Sequence, residues 1–396
     1  MAPRSDKTTD GTPGRTTRSG ASSNNSDIME TSKSLKLNDL RKSLPAEVFN
    51  KSLPTSVFYL VFDVAMCFTA LYVMHTMVNS SHWEDFSVVI KVAAWLVYWN
   101  VVGFFMWCLF VVGHDCGHGT FSEYEWLNDI VGHITHGAIL VPYFPWQLTH
   151  RRHHMYHNHV SKDYSHPWYT EDREQVQDEG LYRFFRTTLN GNLMATFPLF
   201  GWTAYLLGSP DGSHFVPIPS QRMWKESPAV EHAKCFVSTA VVCAYAYGVY
   251  THVCGGDFSI FSYYYLIPVL VFGWWLVCVT YLQHHSPNTL VYDNDTWNFF
   301  TAAFETVDRT FGYGIDDLSH NITDGHVVHH LFYTKIPHYN LKKATKALRN
   351  YLSANNASHL YKHEETYDFM FRVHSYFRDL GYGATLYEEG GGKKKQ

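Results

Sequence analysis

Residues 92–118 read VAAWLVYWNVVGFFMWCLFVVGHDCGH. Val92–Gly113 is an apolar run long enough to cross a hydrocarbon core, which takes about 20 helical residues. The next five residues, His114-Asp115-Cys116-Gly117-His118, continue that run without a break. His114 and His118 are four apart and so share one helix face. At about 1.5 Å per residue, a helix starting at Val92 carries His118 just past the hydrocarbon edge. A membrane span that ends in two metal-ligand side chains sets the terms for the rest of the chain.

Three other stretches have the same character: Val57–Met74, Cys235–Val253 and Ile260–Leu282. Together they predict an all-α integral membrane fold of four transmembrane helices in two hairpins, with interfacial helices and a cytosolic helical cap. Asp63 in the first span and Asn100 in the second need partners inside the bundle, because hydrocarbon offers none. Ile130–Tyr143 and Leu193–Leu207 are too short to cross and predict interfacial or re-entrant helices. The loops between Met74 and Val92 and between Val253 and Ile260 are poor in Lys and Arg. The basic residues fall in the N-terminal tail, in Gly113–Lys234 and in the C-terminal third, which places those three segments on the cytosolic side.

Residues 1–40 are rich in Ser, Thr, Gly and Asn and predict a disordered cytosolic tail. They lack the apolar core of a signal peptide. Residues 41–380 are expected to form the membrane domain, and 381–396 a second tail ending in GGGKKKQ. Lys393 and Lys394, fourth and third from the end, fit a dilysine signal for retrieval to the endoplasmic reticulum. Asn79-Ser80-Ser81 is a glycosylation sequon in the first far-side loop. Asn321-Ile322-Thr323 is another, discounted because it lies on the cytosolic side.

Composition narrows the class. Charged residues make up 17% of the 396, below the usual share of about 25% in soluble chains. The 12 Trp and 27 Tyr suit membrane interfaces. A net charge of -5 gives no footprint for nucleic acid. The 7 Cys are scattered, with no CxxC, so neither a disulfide framework nor a thiolate zinc site is expected.

The 25 His are in excess, and they are clustered. Beyond His114 and His118 come His150-Arg151-Arg152-His153-His154, followed by His157 and His159. His326-Val327-Val328-His329-His330 forms a third box, and His284-His285 follows the fourth span directly. Under the topology above all these groups meet at one membrane face. Neutral imidazole is the commonest metal ligand. Eight box histidines and one from the 284/285 pair are too many for one tetrahedral zinc and suit two metals. Neither HExxH nor Glu-x-x-His occurs, which excludes the zinc-protease helix and the carboxylate di-iron bundle. An all-nitrogen dinuclear site at a membrane surface remains, and iron with O2 is the pairing that oxidises an unactivated, membrane-embedded substrate.

GHDCGHGTFS (113–122), PYFPWQLTHRRHH (142–154), TYLQHH (280–285) and VDRTFGYGIDDLSHNITDGHVVHHLFYTKIPHY (307–339) resemble the membrane fatty acyl desaturases, and the similarity runs from about residue 40 to 380. The resemblance implies a di-iron site held by His114, His118, His150, His153, His154, His326, His329 and His330. It also implies one further histidine after the last span, His284, with His285 as its rival. Three residues separate the histidines of the first box, against four in the Δ9 acyl-CoA type. His326 opens the third box where the front-end type has Gln, and HPGG is absent. The chain is thus most similar to the methyl-end group, the Δ12 and omega-3 desaturases, with Asp211–Phe215 most like its animal members.

That resemblance implies a fatty acyl chain on CoA or phospholipid as substrate and cytochrome b5 with its reductase as electron source. Two irons would split O2 and leave a cis double bond. Asp115, Asp163 and Asp324, beside the boxes, are expected to orient imidazoles. Trp107, Tyr143, Trp146 and Tyr281 are expected to anchor at the interface, with an acyl tunnel as the other role. A di-iron hydroxylase or acetylenase, a polytopic zinc hydrolase and a metal transporter remain open alternatives.

Overall fold

A computed structural model describes residues 30–165, 192–378 and 385–387, except 33, 210, 287 and 288. Four helices in it are long and apolar enough to cross a membrane: α2 (Leu53–Val78), α3 (Val88–His118), α7 (Ala229–Val253) and α8 (Phe258–His284). Three of them, α2, α3 and α8, overrun their apolar runs because a polar cap, not the end of hydrophobicity, starts the helix, whereas α7 begins after Pro228 with no side-chain cap. Ser52 accepts from the Thr55 N–H, Ser87 from Ile90, and Asp257 from Ser259 and Ile260. Gly119, at φ 69°, closes α3 in the left-handed conformation that glycine tolerates best.

The two members of each hairpin are not equivalent. Within the most apolar stretch of each helix, 72% of α3 and 56% of α8 is buried, against 11% of α2 and 17% of α7. The inner pair α3 and α8 pack on each other, and α2 lies along the outside of α3. Asp63 of α2 finds its partner as expected: the His320 Nε2–H donates to Asp63 Oδ2 at 2.8 Å, with both side chains buried. Asn100 does not behave as expected. It lies on the exposed side of α3, and no hydrogen bond from its side chain occurs among the described residues. The inward-facing half of α3 is almost entirely Val102 onward.

At 31 residues α3 is about 46 Å long. That exceeds a hydrocarbon core of about 30 Å, so its last turns enter the cap. There α4 (Glu125–Gly137) and α5 (Tyr143–Tyr156) pack across it. α4 is amphipathic, with Trp126, Ile130 and Ile134 exposed along one side. α6 (Asn192–Gly208), which carries Pro198, runs against α8. α6 matches the expected Leu193–Leu207 helix, whereas α4 covers only the first part of Ile130–Tyr143 and Tyr143 begins α5.

The cap is completed by α9 (His326–Phe332), α10 (Leu341–Ala354) and α11 (Phe369–Arg378). It also contains two small parallel pairings that the all-α expectation did not include: β1 (Leu290–Val291) with β4 (Thr385–Leu386), and β2 (Val307–Thr310) with β3 (Lys362–Glu365). The cap begins earlier than residue 41. In α1 (Leu37–Ser43), Leu40 is fully buried, and Ser32 hydrogen-bonds Thr301 at 2.8 Å. The expected tail over 1–29 and the dilysine end lie outside the described residues. Thr385 and Leu386, assigned to a tail, instead form β4.

Candidate metal centre

Two glycines of the first box set how closely its helix is approached. A Cβ on Gly113 would stand 2.3 Å from Thr135 Oγ1 and 2.4 Å from His136 Nδ1 of α4. A Cβ on Gly117 would stand 2.8 Å from the Trp146 ring of α5. Both neighbours therefore rest on bare backbone, which brings α5 and its histidines against the end of α3. The second hairpin delivers its histidine differently. The turn Val277–Tyr281 at the end of α8 is π-helical, holding one residue more than an α turn. Past it His284 faces inward. His285 faces away, stacked on Tyr281 at 3.7 Å, with its Nδ1–H donated to the Tyr281 carbonyl.

The third box is aimed by strand β2. Asp308 Oδ1 accepts the Val327 N–H at 2.8 Å and so caps α9, while its Oδ2 accepts the Tyr361 hydroxyl at 2.6 Å. Next to it Arg309 Nε–H donates to the Leu282 carbonyl at 3.0 Å and its guanidinium pairs with Glu364. One short strand thus fixes the start of α9 to the end of α8. Gln283 adds two bonds, from Nε2 to the Ile322 and Thr323 carbonyls at 2.8 and 2.9 Å.

The result is two groups of inward-facing imidazole nitrogens. In the first, His114, His118, His150, His154 and His329 bring five nitrogens within 4.8 Å of one another. Successive Nε2 atoms are 3.2 Å apart for His114 and His118, 3.1 Å for His118 and His150, 3.1 Å for His150 and His154, and 3.2 Å for His154 and His329. In the second, His153, His284 and His330 meet the same limit. His326 Nε2 joins them, 3.0 Å from His284 and 3.2 Å from His330. All nine histidines expected from the sequence fall in one group or the other, and His285 in neither.

These distances can be tested against a metal. With metal–nitrogen bonds of about 2.1 Å, neighbouring ligands of an octahedron lie about 3.0 Å apart and those of a tetrahedron about 3.4 Å. The observed edges of 3.0–3.3 Å match a shell of that size. Water-bridged or stacked rings have no reason to aim so many nitrogens at two common points. Five donors around one point also exceed the four of a structural zinc site. Burial pushes the His153 ring down to about 3 and holds His150, His154, His329 and His330 well below the ordinary imidazole range. The rings are therefore neutral at pH 7, with a lone pair available to an ion.

The sequence profile described as Fatty acid desaturase matches residues 93–363. The chain belongs to the fatty acid desaturase family. Among its relatives, the Delta(12) fatty acid desaturase fat-2 of Caenorhabditis elegans is 41% identical over 295 residues, covering 72% of this chain and 73% of that one. The omega-3 fatty acid desaturase fat-1 of the same organism is 40% identical over 276 residues, 69% of this chain and 66% of that one. The Delta(12)-fatty-acid desaturase of Arabidopsis thaliana is 34% identical over 264 residues, covering 65% and 66% respectively.

In this desaturase the carboxylates beside the boxes play different parts. Asp163 does orient an imidazole: the His153 Nδ1–H donates to its Oδ2 at 2.9 Å, and its Oδ1 accepts the Ser165 N–H. Asp115 sits 3.7 Å from His114 Nδ1, but its short bonds go to the backbone N–H and ring Nδ1–H of His338, both 2.9 Å. Asp324 bonds no box imidazole among the described residues, and burial raises its carboxyl to about 6. The strand residue Asp308, which nothing local in the sequence marks, does the capping instead. Its burial pushes its own carboxyl up to about 7.

The aromatics also differ from expectation. Trp107, Tyr143 and Trp146 are buried, not interfacial, because α3 and α5 are inner elements. Trp146 stacks on His150 at 4.8 Å and Tyr281 on His285. His157 is buried at the end of α5, its Nδ1–H donated to the His154 carbonyl and its ring beside His330. His159 is also buried and turns away from the box, to Asn294. Asn321 and Thr323 of the discounted sequon are buried, Thr323 donating to Asp316 Oδ1.

Proposed function

We propose that this protein inserts a cis double bond toward the methyl end of an unsaturated fatty acyl chain, at the Δ12 or omega-3 position, using O2. The observation that supports this reading most is the pair of nitrogen-only donor sets at the ends of the inner helices α3 and α8. The relatives named above act at those two positions by name. His114, His118, His150, His154 and His329 would hold one iron, and His153, His284, His326 and His330 the other. The irons, when bound, supply the oxidant for unactivated C–H bonds.

Orienting the imidazoles, excluding water and positioning the acyl chain fall to the protein's own residues. Asp163 keeps the His153 proton on Nδ1, so Nε2 presents its lone pair. The packing of Phe110, Trp146 and His136 beside the first group excludes water from the membrane side. Positioning decides which carbons react, and misplacement by about 1 Å is enough to lose rate. Taking one hydrogen from each of two neighbouring methylenes releases two electrons and two protons. Reducing O2 to two waters consumes four of each, so two electrons and two protons come from outside. Cytochrome b5 and its reductase would supply the electrons, the acyl chain would be carried on CoA or phospholipid, and the endoplasmic reticulum membrane with a cytosolic site is the setting.

Fatty-acid profiling tests this. The chain is expressed in a yeast that lacks polyunsaturates, with and without linoleate and arachidonate, beside His153→Ala and His154→Ala. A new diene without feeding identifies Δ12 action on oleate, and omega-3 products on feeding identify the other position. Well-expressed protein giving no new double bond, or variants matching the wild type, overturns the proposal.

A further inference from the structure

Resting on that reading, electrons must cross from a surface carrier to a buried site, and the structure shows where the site comes closest to the surface. Of the nine clustered histidines eight are buried and His150 alone is partly exposed. The half-buried Tyr333 covers the same group: its ring stacks on His154 at 4.5 Å and 20° and meets His118 edge-on at 5.2 Å. Tyr333 follows α9 directly, so the third box itself carries it. Its exposed neighbours Thr334 and Lys335, and exposed Arg151 next to His150, frame the spot. Arg151 is in electrostatic reach of Tyr333 and of Asp129. No ion pair among the described residues uses Arg151 or Lys335.

We propose that His150 and Tyr333 form the electron port of this enzyme, and that Arg151 and Lys335 dock an acidic, one-electron carrier protein over it. Each docking would pass one electron from the carrier through the Tyr333–His154 stack to the iron that the five-histidine group would hold, so the carrier is oxidised and the iron reduced by one electron. Two dockings supply the two electrons of a turnover, and the carrier leaves oxidised. Unpaired cations beside a partly open ring would otherwise be an ordinary solvated face. What distinguishes this face is that, among the described residues, its Tyr333 ring lies against two of the clustered imidazoles and His150 is itself one of them, and such charges steer a partner of opposite sign.

The test uses the full chain in lipid nanodiscs and the soluble haem domain of cytochrome b5 as the acidic probe. Binding is measured on metal-free protein, so it does not depend on turnover. Arg151→Glu and Lys335→Glu each weaken it by about tenfold at low ionic strength, and the difference shrinks above about 0.15 M salt. Stopped-flow absorbance then follows oxidation of the reduced haem by iron-loaded protein. Tyr333→Leu binds like the wild type but loses the fast phase, and Tyr333→Phe, which keeps the ring, retains it. Unchanged binding in both charge reversals, or a fast phase that survives Tyr333→Leu, overturns the port. Wild type that oxidises the haem yet forms no double bond would sink the desaturase reading and leave the port standing.

Discussion

Replacing Asp163 with Ala should loosen one metal and spare the other. The His153 Nδ1–H···Oδ2 bond is 2.9 Å long, and the two side chains are 2% and 0% exposed. Water cannot easily take the place of the carboxylate. Without it that bond no longer holds the proton on Nδ1, and the ring can flip its tautomer or rotate its lone pair away from His284 and His330. Loss of such a partner typically lowers metal affinity 10- to 100-fold, about 1.4–2.8 kcal/mol. Asp163→Asn keeps the volume and one acceptor and should fall between wild type and Ala. The assay is iron titration of purified protein against a coloured chelator, with total iron by mass spectrometry. Expected is a weakened site in the four-histidine group, so iron falls from two per chain toward one while the five-histidine group holds. If Asp163→Ala keeps both irons at wild-type affinity while His153→Ala loses one, the bond does not orient the ligand. If His153→Ala also keeps both, the assignment of His153 to a metal is refuted.

Three further outcomes follow from the packing. Gly113→Ala puts a Cβ 2.3 Å from Thr135 Oγ1, so α4 must shift; a loss of about 1–3 kcal/mol is expected, read as a lower melting temperature, and an unchanged melt would contradict the close approach. Asp63→Leu strands His320 and should cost about 3–5 kcal/mol, while Asp63→Leu with His320→Leu should recover most of it; additive losses in the double variant would refute the pairing. His214, buried and bonded to Thr149 Oγ1 at 3.1 Å, is held down to about 3 by burial, so the fold favours its neutral form. That stability is present above the unfolded value of about 6.5 and drains as pH falls toward 3. Roughly 2 kcal/mol should be gone by pH 5, and His214→Gln should melt with a shallower pH dependence between 7 and 5.

The spans and boxes were legible because their signals are local. An apolar run and an i, i+4 pair are both written within a few turns of helix. His284 was preferred over His285 on resemblance; the structure gives the physical ground, a π turn that rotates the end of α8. What stayed hidden is what the chain brings together from afar. Asp308 caps α9 from 19 residues away and His338 binds Asp115 across 223, with no pattern linking the members of either pair. Asn100 and the aromatics of α3 and α5 were misjudged for a related reason. Composition says that a helix is apolar, but not which hairpin member is inner, and only the inner one surrounds its aromatics with protein.

The box spacings themselves explain how two donor sets come to stand side by side. Along a helix, i+4 lies about 40° from i and i+3 about 60° on the other side, so adjacent i+3 and i+4 residues diverge by about 100°. His114 and His118, spaced only by four, both serve the five-histidine group. In α5 the four-spaced pair, His150 and His154, joins that same group, and the i+3 member His153 goes to the other. In α9 the roles reverse: His326 and His330 serve the second group and the i+3 member His329 crosses to the first. Each HxxHH helix therefore lies between the two sites and spans both, and the two helices do so with opposite allegiance. The first group then holds two, two and one from α3, α5 and α9, and the second holds one from α5 and two from α9. That leaves the second group short, and α8 supplies the missing donor through His284. The extra histidine after the last span is in this sense required by the box spacings, since without it one donor set would have five members and the other three.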